Sequence, residues 1–203
     1  MKKFLILTVL ASFIAASASA DDGYFRGKHR VISYSSMEMS SGDLSLKNNF
    51  GAAFSTTRTY FLHKKPIAGL MKIGIDATWI DLGYNNFTTT VLDEEAGLVD
   101  APLHQAEIGV QAGLSLTFNP VDKLNVALYC RYAPTFSASF STGDGTILGG
   151  YMGYIVAGGR VSYSFIGLGC EYRSGSGVMN DFLEGGSSPL KTDGLRAYVS
   201  FSF

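Results

Sequence analysis

Charged residues are scarce in this 203-residue chain, and neither sign of charge dominates. They make up 16% of the sequence, and 16 basic against 17 acidic residues give a formal net charge of −1. Ordinary globular proteins carry roughly 25% charged residues. The near balance leaves no basic surface of the kind that binds nucleic acid, so we expect no nucleic-acid partner.

Long apolar runs are also absent after the first twenty residues. A membrane-spanning helix needs about 20 predominantly apolar residues, and no segment after Ala20 provides them. Cysteine is limited to Cys130 and Cys170, which are too few for a disulfide framework. The chain is instead rich in glycine, with 24 residues, and 13% of it is aromatic.

The first twenty residues are typical of a cleaved secretory signal peptide. Lys2 and Lys3 form a basic start, residues 4–14 are an apolar core, and residues 18–20 are the small residues that signal peptidase accepts. We therefore predict a signal peptide at residues 1–20 and one mature domain at residues 21–203. Removing the two lysines changes the net charge from −1 to −3. An exported chain of this composition is either a soluble β-sandwich or a membrane β-barrel.

The mature chain alternates between apolar residues and polar or small ones, a period of two that predicts β-strands. The clearest segment has one apolar face and one small or polar face. The apolar face consists of Ile108, Val110, Ala112, Leu114, Leu116 and Phe118, and the other of Glu107, Gly109, Gln111, Gly113, Ser115 and Thr117. Six clear segments and two weaker ones, near residues 25–37 and 44–62, give eight predicted strands.

The lengths of the connections favour a membrane barrel. Short connections are predicted near residues 63–68, 119–122 and 164–167, and they alternate with longer ones near residues 85–103, 135–149 and 174–193 and a shorter one near residues 39–43. Outer-membrane barrels have an even number of strands, short periplasmic turns and longer extracellular loops. A soluble sandwich would carry more charge on its outside. We therefore predict an all-β, eight-stranded antiparallel up-and-down transmembrane β-barrel.

Charged residues of both signs fall on the predicted inner face. They are Lys72, Asp76, Glu107, Arg131, Arg160, Glu171, Arg173 and Arg196. The lumen of an eight-stranded barrel is about filled by its own side chains, so a packed network of opposite charges is favoured over a conduction path. A turn centred between Phe165 and Ile166 predicts that Arg160 lies opposite Glu171 and forms an ion pair with it inside the barrel.

The sequence offers no candidate catalytic, cofactor-binding or metal site. His29, His63 and His104 lie far apart along the chain, whereas a metal site needs several ligands at one point. Alternation places His104 and Glu107 on opposite faces of one strand. Cys130 and Cys170 fall on the apolar face of strands five and seven, roughly 10 Å apart. We therefore predict two free thiols that face lipid.

At this point the whole mature chain resembles the small eight-stranded outer-membrane barrels of the OmpA/OmpX and opacity-protein type. The most specific feature is residues 198–203, Tyr-Val-Ser-Phe-Ser-Phe. A last strand that ends in Phe203 looks like the signal read by the barrel-assembly machinery. The resemblance implies the cell outer membrane as the location, with outer-membrane lipid and the assembly machinery as partners.

The leading functional hypothesis is a non-enzymatic surface protein, because function in such proteins is carried by loops on a rigid scaffold. The barrel would anchor extracellular loops for surface interaction or envelope integrity, and the loops would bind possible surface ligands. The first alternative is a narrow channel for small solutes. The second is an outer-membrane lipid-modifying enzyme, and it has the least support because no serine is placed beside His104.

Overall fold

The computed structural model describes residues 25–42, 44–93, 97–143, 145–183 and 185–203. The predicted signal peptide at residues 1–20 lies outside the described residues. No helix in the described part of the chain is long and apolar enough to cross a membrane.

Eight strands form one closed antiparallel barrel, in which each strand pairs with its neighbours along the chain and the last pairs with the first. The strands are β1 (Lys28–Ser41), β2 (Leu44–Phe61), β3 (Met71–Asp93), β4 (Gly97–Val121), β5 (Leu124–Ser141), β6 (Ile147–Tyr163), β7 (Ile166–Asp181) and β8 (Ser187–Ser202). Closure is completed by backbone hydrogen bonds between Lys28 and Phe203, at 2.9 and 3.3 Å. The predicted strand number and up-and-down topology are confirmed.

The strands turn their apolar residues outward and their polar residues inward. Leu114 is 63% exposed on the outside, whereas its neighbour Ser115 is 5% exposed inside. Large apolar side chains such as Trp79, Leu128 and Leu168 are exposed in the same way on other strands. An apolar outside around a polar interior is the reverse of a soluble barrel and fits a membrane-spanning one, as predicted.

The three connections predicted to be short lie at the end of the barrel where the described chain begins and ends. Two of them are turns of two residues, at residues 122–123 and 164–165, but the one predicted near residues 63–68 spans residues 62–70 and is the longest connection between strands. The long connections predicted near residues 85–103, 135–149 and 174–193 are wrong, because most of these residues continue the strands. The connections themselves are residues 94–96, 142–146 and 182–186. Near residues 85–103 and 174–193 the outward residues become mainly polar, which removes the apolar period but not the β-structure. Residues 135–141 keep Phe136 and Phe140 on the outside, so the apolar period there continues to the end of β5.

The hairpin of β6 and β7 differs from the prediction in its register. Its turn lies at residues 164–165, one position earlier than predicted, so Arg160 lies opposite Gly169 and not opposite Glu171. Ser164 adopts a φ of 56°, a conformation in which hairpins usually place glycine or asparagine. The turn therefore lacks the glycine or asparagine that would have marked its position in the sequence. The predicted pairing of Arg160 with Glu171 is wrong.

A β-bulge in β3 changes which residues of that strand point inward. The pairing shifts between Thr78 and Asp81, and Trp79 and Ile80 are both exposed on the outside, at 60% and 47%. The extra residue reverses the alternation beyond it, as bulges do. Asp81 is consequently buried inside the barrel, at 3% exposure.

Candidate functional site

The candidate functional site is the barrel interior, which is organised in layers along the barrel axis. A charged layer contains four acidic and four arginine side chains, so that its formal charge is zero. They are Asp76, Asp81, Glu107, Glu171, Arg131, Arg160, Arg173 and Arg196, and all except the partly buried Arg160 are buried. Asp81 is the member that the sequence did not predict, and the predicted Lys72 lies outside this layer.

Asp81 is the centre of the charged layer. Its carboxylate accepts hydrogen bonds from Arg196 Nη1 at 3.0 Å, Arg173 Nη1 at 3.3 Å and Gln111 Nε2 at 2.9 Å. The two arginines belong to β7 and β8, so they reach across the barrel to β3. One buried carboxylate therefore compensates two buried guanidinium groups on the opposite wall.

A second ion pair crosses the barrel between β5 and β3. Arg131 Nη2 lies 2.7 Å from Asp76 Oδ2, and the same carboxylate accepts a hydrogen bond of 2.6 Å from Thr59. The guanidinium of Arg131 also stacks over the ring of Tyr129, 3.7 Å from its centroid. A cation that is both paired and stacked is well compensated for its loss of water.

Tyrosine hydroxyls donate hydrogen bonds to the two glutamate carboxylates of the charged layer. Tyr154 donates to Glu107 at 2.6 Å and Tyr129 donates to Glu171 at 2.9 Å. Arg196 lies between the glutamates, 3.6 Å from Glu107 and 3.8 Å from Glu171. All of these contacts except that of Arg196 with Glu171 join non-neighbouring strands, so the interior charges form the packed network that the sequence predicts.

Arg160 has a different environment from the predicted ion pair. Its Nη2 lies 3.2 Å from Nε2 of His29, whose Nδ1 lies 3.0 Å from Ser202 Oγ. Glu171 is instead opposite Arg196 on β8. The network is therefore built around the β7–β8 pair and not around the β6–β7 pair.

Two aromatic rings lie beside Lys72 at the end of the barrel where the described chain begins and ends. Its Nζ lies 4.7 Å from the centroid of the Phe25 ring and 5.1 Å from that of Phe61. Both distances are within the range of a cation–π interaction. Lys72 therefore belongs to an aromatic cluster at this end and not to the charged layer.

An amide layer lies next to the charged layer, on the side away from Phe203. Asn85 accepts hydrogen bonds from Ser35 at 2.9 Å and Asn48 at 3.2 Å, and donates one to Gln105 at 3.2 Å. Gln105 in turn donates to Ser137 at 2.9 Å. The chain of hydrogen bonds crosses β1 to β5, so these buried amides satisfy one another without charge.

Beyond the amide layer the inward residues become apolar, which the sequence did not predict. Met37, Phe87 and Met152 are at most 1% exposed. Next to them, a cavity of about 300 Å³ lies within the end of the barrel that is opposite to Phe203. We call this cavity the apolar cup. It is lined by Met39, Ser41, Leu44, Leu46, Thr89, Thr90, Leu103, Ser139, Ser141, Thr146, Leu148, Met179, Ser188 and Leu190.

The three histidines of the described chain lie in separate places. His29 is buried in the lumen, His63 lies in the β2–β3 connection beside Lys65, and His104 points outward. His104 lies 2.7 Å from the Tyr84 hydroxyl, on the face opposite to Glu107. Within the described residues, no three histidine, cysteine or acidic side chains are grouped so that they could hold a metal ion.

Both cysteines are free and exposed on the outside of the barrel. Cys130 lies opposite Ala157 and Cys170 lies opposite Gly159, on the two sides of β6. The strand between them keeps the thiols apart, so the prediction of two unpaired, outward cysteines is confirmed.

Comparison with known proteins finds structural likeness at low sequence identity. No family model matches the chain, and no curated protein matches it either. Neisserial surface protein A is 14% identical, with a TM-score of 0.49 over 87% of this chain and 97% of that chain. The attachment invasion locus protein Ail of Yersinia pestis, solved with the heparin analogue sucrose octasulfate, is 12% identical, with a TM-score of 0.48 over 87% and 100%. The outer membrane protease OmpT of Escherichia coli is 8% identical, with a TM-score of 0.46 over 87% and 97%.

The strand order and the distribution of polar residues define the architecture from this chain's own coordinates. Eight antiparallel strands close in sequence order, with apolar residues outside and the charged layer within. The chain therefore has the architecture of the small eight-stranded outer-membrane β-barrels.

Proposed function

We propose that this protein is a non-enzymatic outer-membrane barrel with a closed lumen, which anchors extracellular β-hairpins for surface interaction or envelope integrity. Export through a cleaved signal peptide and insertion by the barrel-assembly machinery through the strand ending at Phe203 are part of the proposal. The observation that carries it is the hairpin of β3 and β4, whose outside changes from apolar to polar at a defined level.

The polar part of this hairpin begins at the hydrogen bond between Tyr84 and His104. Below that bond the outward residues of β3 include Ile75 and Leu82, at 44% and 43% exposure. Above it, the outward residues of the hairpin include Thr88 and Asp100. The change is typical of the boundary between lipid and water, where tyrosine is enriched.

The lengths of the strands support a hairpin that protrudes from the membrane. β3 has 23 residues and β4 has 25, whereas about 9–11 residues cross a bilayer. Beyond the Tyr84–His104 hydrogen bond, nine residues of β3 (85–93) and seven residues of β4 (97–103) remain for the aqueous side. A long hairpin on a rigid barrel is a suitable surface for contacting other molecules.

The contacts inside the barrel favour the closed lumen over the channel alternative. Arg173 and Arg196 reach Asp81 from the opposite wall, so side chains occupy the cross-section at that level. Planar-bilayer recordings should show no conductance above that of lipid alone. Stable single-channel steps from purified protein would favour the channel instead. If the protein is not a lipid-modifying enzyme, cells that produce it should have the same lipid A mass spectrum as cells that lack it.

Cysteine labelling on intact cells tests the proposed orientation. In a background with Cys130 and Cys170 replaced by serine, Thr88→Cys should react with a membrane-impermeant maleimide. The matched control Ile75→Cys, which points outward on the same strand, should react only with a lipid-soluble reagent. Labelling of Thr88→Cys only after the outer membrane is broken would place the hairpin on the periplasmic side and refute the proposal.

A further inference from the structure

We infer that the apolar cup is a binding site for one short alkyl chain that carries an uncharged, oxygen-containing head. The inference goes beyond the proposed function, since the barrel could anchor its hairpins without binding any small molecule. It depends on four features of the cup, which are its lining, its size, its hydroxyl groups and the lack of charge among the described residues that line it.

The lining is apolar in a part of the barrel where an apolar interior has no role in crossing the membrane. Met39, Leu103, Met179 and Leu190 are all buried, at 3–8% exposure, and they come from four different strands. Ligand pockets are typically apolar, with a few polar groups that fix the orientation of the ligand. The methionines are adaptable side chains that suit a flexible chain.

The size of the cup limits the ligand. Its lining residues Met39 and Leu103 belong to the same buried cluster as Phe87 and Met152, which have no exposed surface, and its volume is about 300 Å³. A cavity of about 150 Å³ accommodates benzene, so this cup has room for roughly ten to twelve carbon atoms. That capacity fits one medium-length alkyl chain and excludes a phospholipid with two long chains.

Two hydroxyl groups in residues that line the cup are buried without a hydrogen-bond partner among the described residues. Ser139 and Ser141 are 4% exposed, and neither Oγ has a hydrogen-bond partner within the described part of the chain. Both residues line the cup near the end of β5. An unsatisfied buried hydroxyl is unfavourable, and the hydroxyl or ester oxygens of a ligand head would satisfy these two.

The described lining disfavours a charged head. None of the described residues that line the cup is charged. A fatty-acid carboxylate in contact with this lining would lose water without gaining a partner of opposite charge, whereas a glycerol or sugar head carries no charge to compensate. The ligand class is thus a single-chain neutral amphiphile, such as a monoacylglycerol.

Methionine methyl NMR of the protein in lipid nanodiscs provides a direct test with an internal control. Met39 and Met179 line the cup, whereas Met71 lies near the opposite end of the barrel, at the start of β3. Titration with monodecanoylglycerol should shift the first two methyl signals to saturation and leave Met71 unshifted. Shifts that grow without saturation, in parallel at all three methionines, would mean partition into the bilayer and would overturn the inference.

A series of chain lengths and a charged analogue sharpen the test. Each added methylene should tighten binding about fourfold while it is buried, and the gain should stop near ten to twelve carbons, when the cup is full. Decanoate should bind more weakly than monodecanoylglycerol. Equal binding of the two would refute the assigned head group, and a gain that continues past fourteen carbons would refute the limit set by the volume of the cup.

Two pairs of variants identify the site. Ser139→Phe should fill the cup and weaken binding more than tenfold, whereas Ser45→Phe, on the outside of the same rim, should not. If Ser139→Phe fails to fold, the Ser139→Ala, Ser141→Ala double variant serves instead, and loss of the hydroxyl contacts should weaken binding by about fivefold or more. Unchanged affinity in the folded variants would overturn the assignment.

Discussion

Replacing Asp81 with asparagine should strongly destabilise the barrel. The substitution keeps the size of the side chain and a hydrogen-bonding group for Gln111, but removes the charge that compensates Arg173 and Arg196. Arg196 keeps Glu107 and Glu171 within 3.8 Å. Arg173 would lose more. Within the described part of the chain, Asp81 is the one acidic side chain that pairs with Arg173, and the Nε and Nη2 atoms of Arg173 have no hydrogen-bond partner.

The burial of Arg173 and Asp81 determines how much stability the substitution removes. The side chains of Arg173 and Asp81 are 0% and 3% exposed, so solvent screens their interaction little. Removing one partner of a buried ion pair typically costs about 3–5 kcal/mol, because the remaining charge is uncompensated. The Asp81→Asn, Arg173→Met double variant removes both charges. It should be less destabilised than Asp81→Asn alone, with a coupling free energy of about 1–3 kcal/mol.

Guanidinium unfolding of the protein in lipid vesicles measures these differences. Trp79 is the single tryptophan of the chain and lies outside the barrel, two residues from Asp81, so its emission reports loss of contact with lipid. Asp100→Asn is the matched control, because Asp100 is exposed, and it should change stability by less than about 0.5 kcal/mol. Additive single and double variants, or an Asp81→Asn barrel as stable as the control, would refute the reasoning.

Three further predictions concern assembly and the outside of the barrel. Replacing Phe203 with serine should leave export intact but lower the amount of folded protein, which heat-modifiable gel migration measures; normal levels would count against the assembly signal. Leu114→Arg should cost about 2–4 kcal/mol in unfolding titrations if the site lies near the bilayer midplane, whereas Ser115→Ala should cost little; equal losses would mean that the two faces are reversed. Cys130 and Cys170 should both react with a lipid-soluble maleimide in vesicles and give the mass of two free thiols; a mass two hydrogens lower would reveal a disulfide and contradict the strand order.

The strand number and the faces of most strands could be predicted because lipid imposes a strict period of two. Leu114 and Ser115 follow that period, as do Asp76 and Arg131 on the inner face. The period ends at the membrane boundary, where residues such as Thr88 face water on the outside. Strand ends and hairpin lengths therefore could not be predicted from the apolar pattern.

The apolar cup was missed for a related reason. Inward residues were expected to be small or polar, and this holds for Ser115 and Thr78, which lie in the membrane-spanning part. Near the mouth, the inward Met39, Met179 and Leu190 are apolar. The sequence does place apolar residues at alternate positions beyond the membrane-spanning segments. Because long loops were predicted there, these residues could not be assigned to one common face of the strands.

The bulge in β3 and the charged layer depend on each other. Strict alternation would place Asp81 on the same face as Trp79, in lipid. A charged side chain near the bilayer midplane costs about 2–4 kcal/mol for arginine or lysine and less for aspartate. Leaving Arg173 without its carboxylate would cost more, since a lost buried partner is worth about 3–5 kcal/mol. A bulge disrupts the hydrogen-bond ladder between two strands at one position. The single extra residue in β3 turns Asp81 from the lipid face to the interior. There its carboxylate pairs with Arg173 and Arg196. An acidic residue that breaks the apolar period of a barrel strand is therefore itself a signal for a bulge.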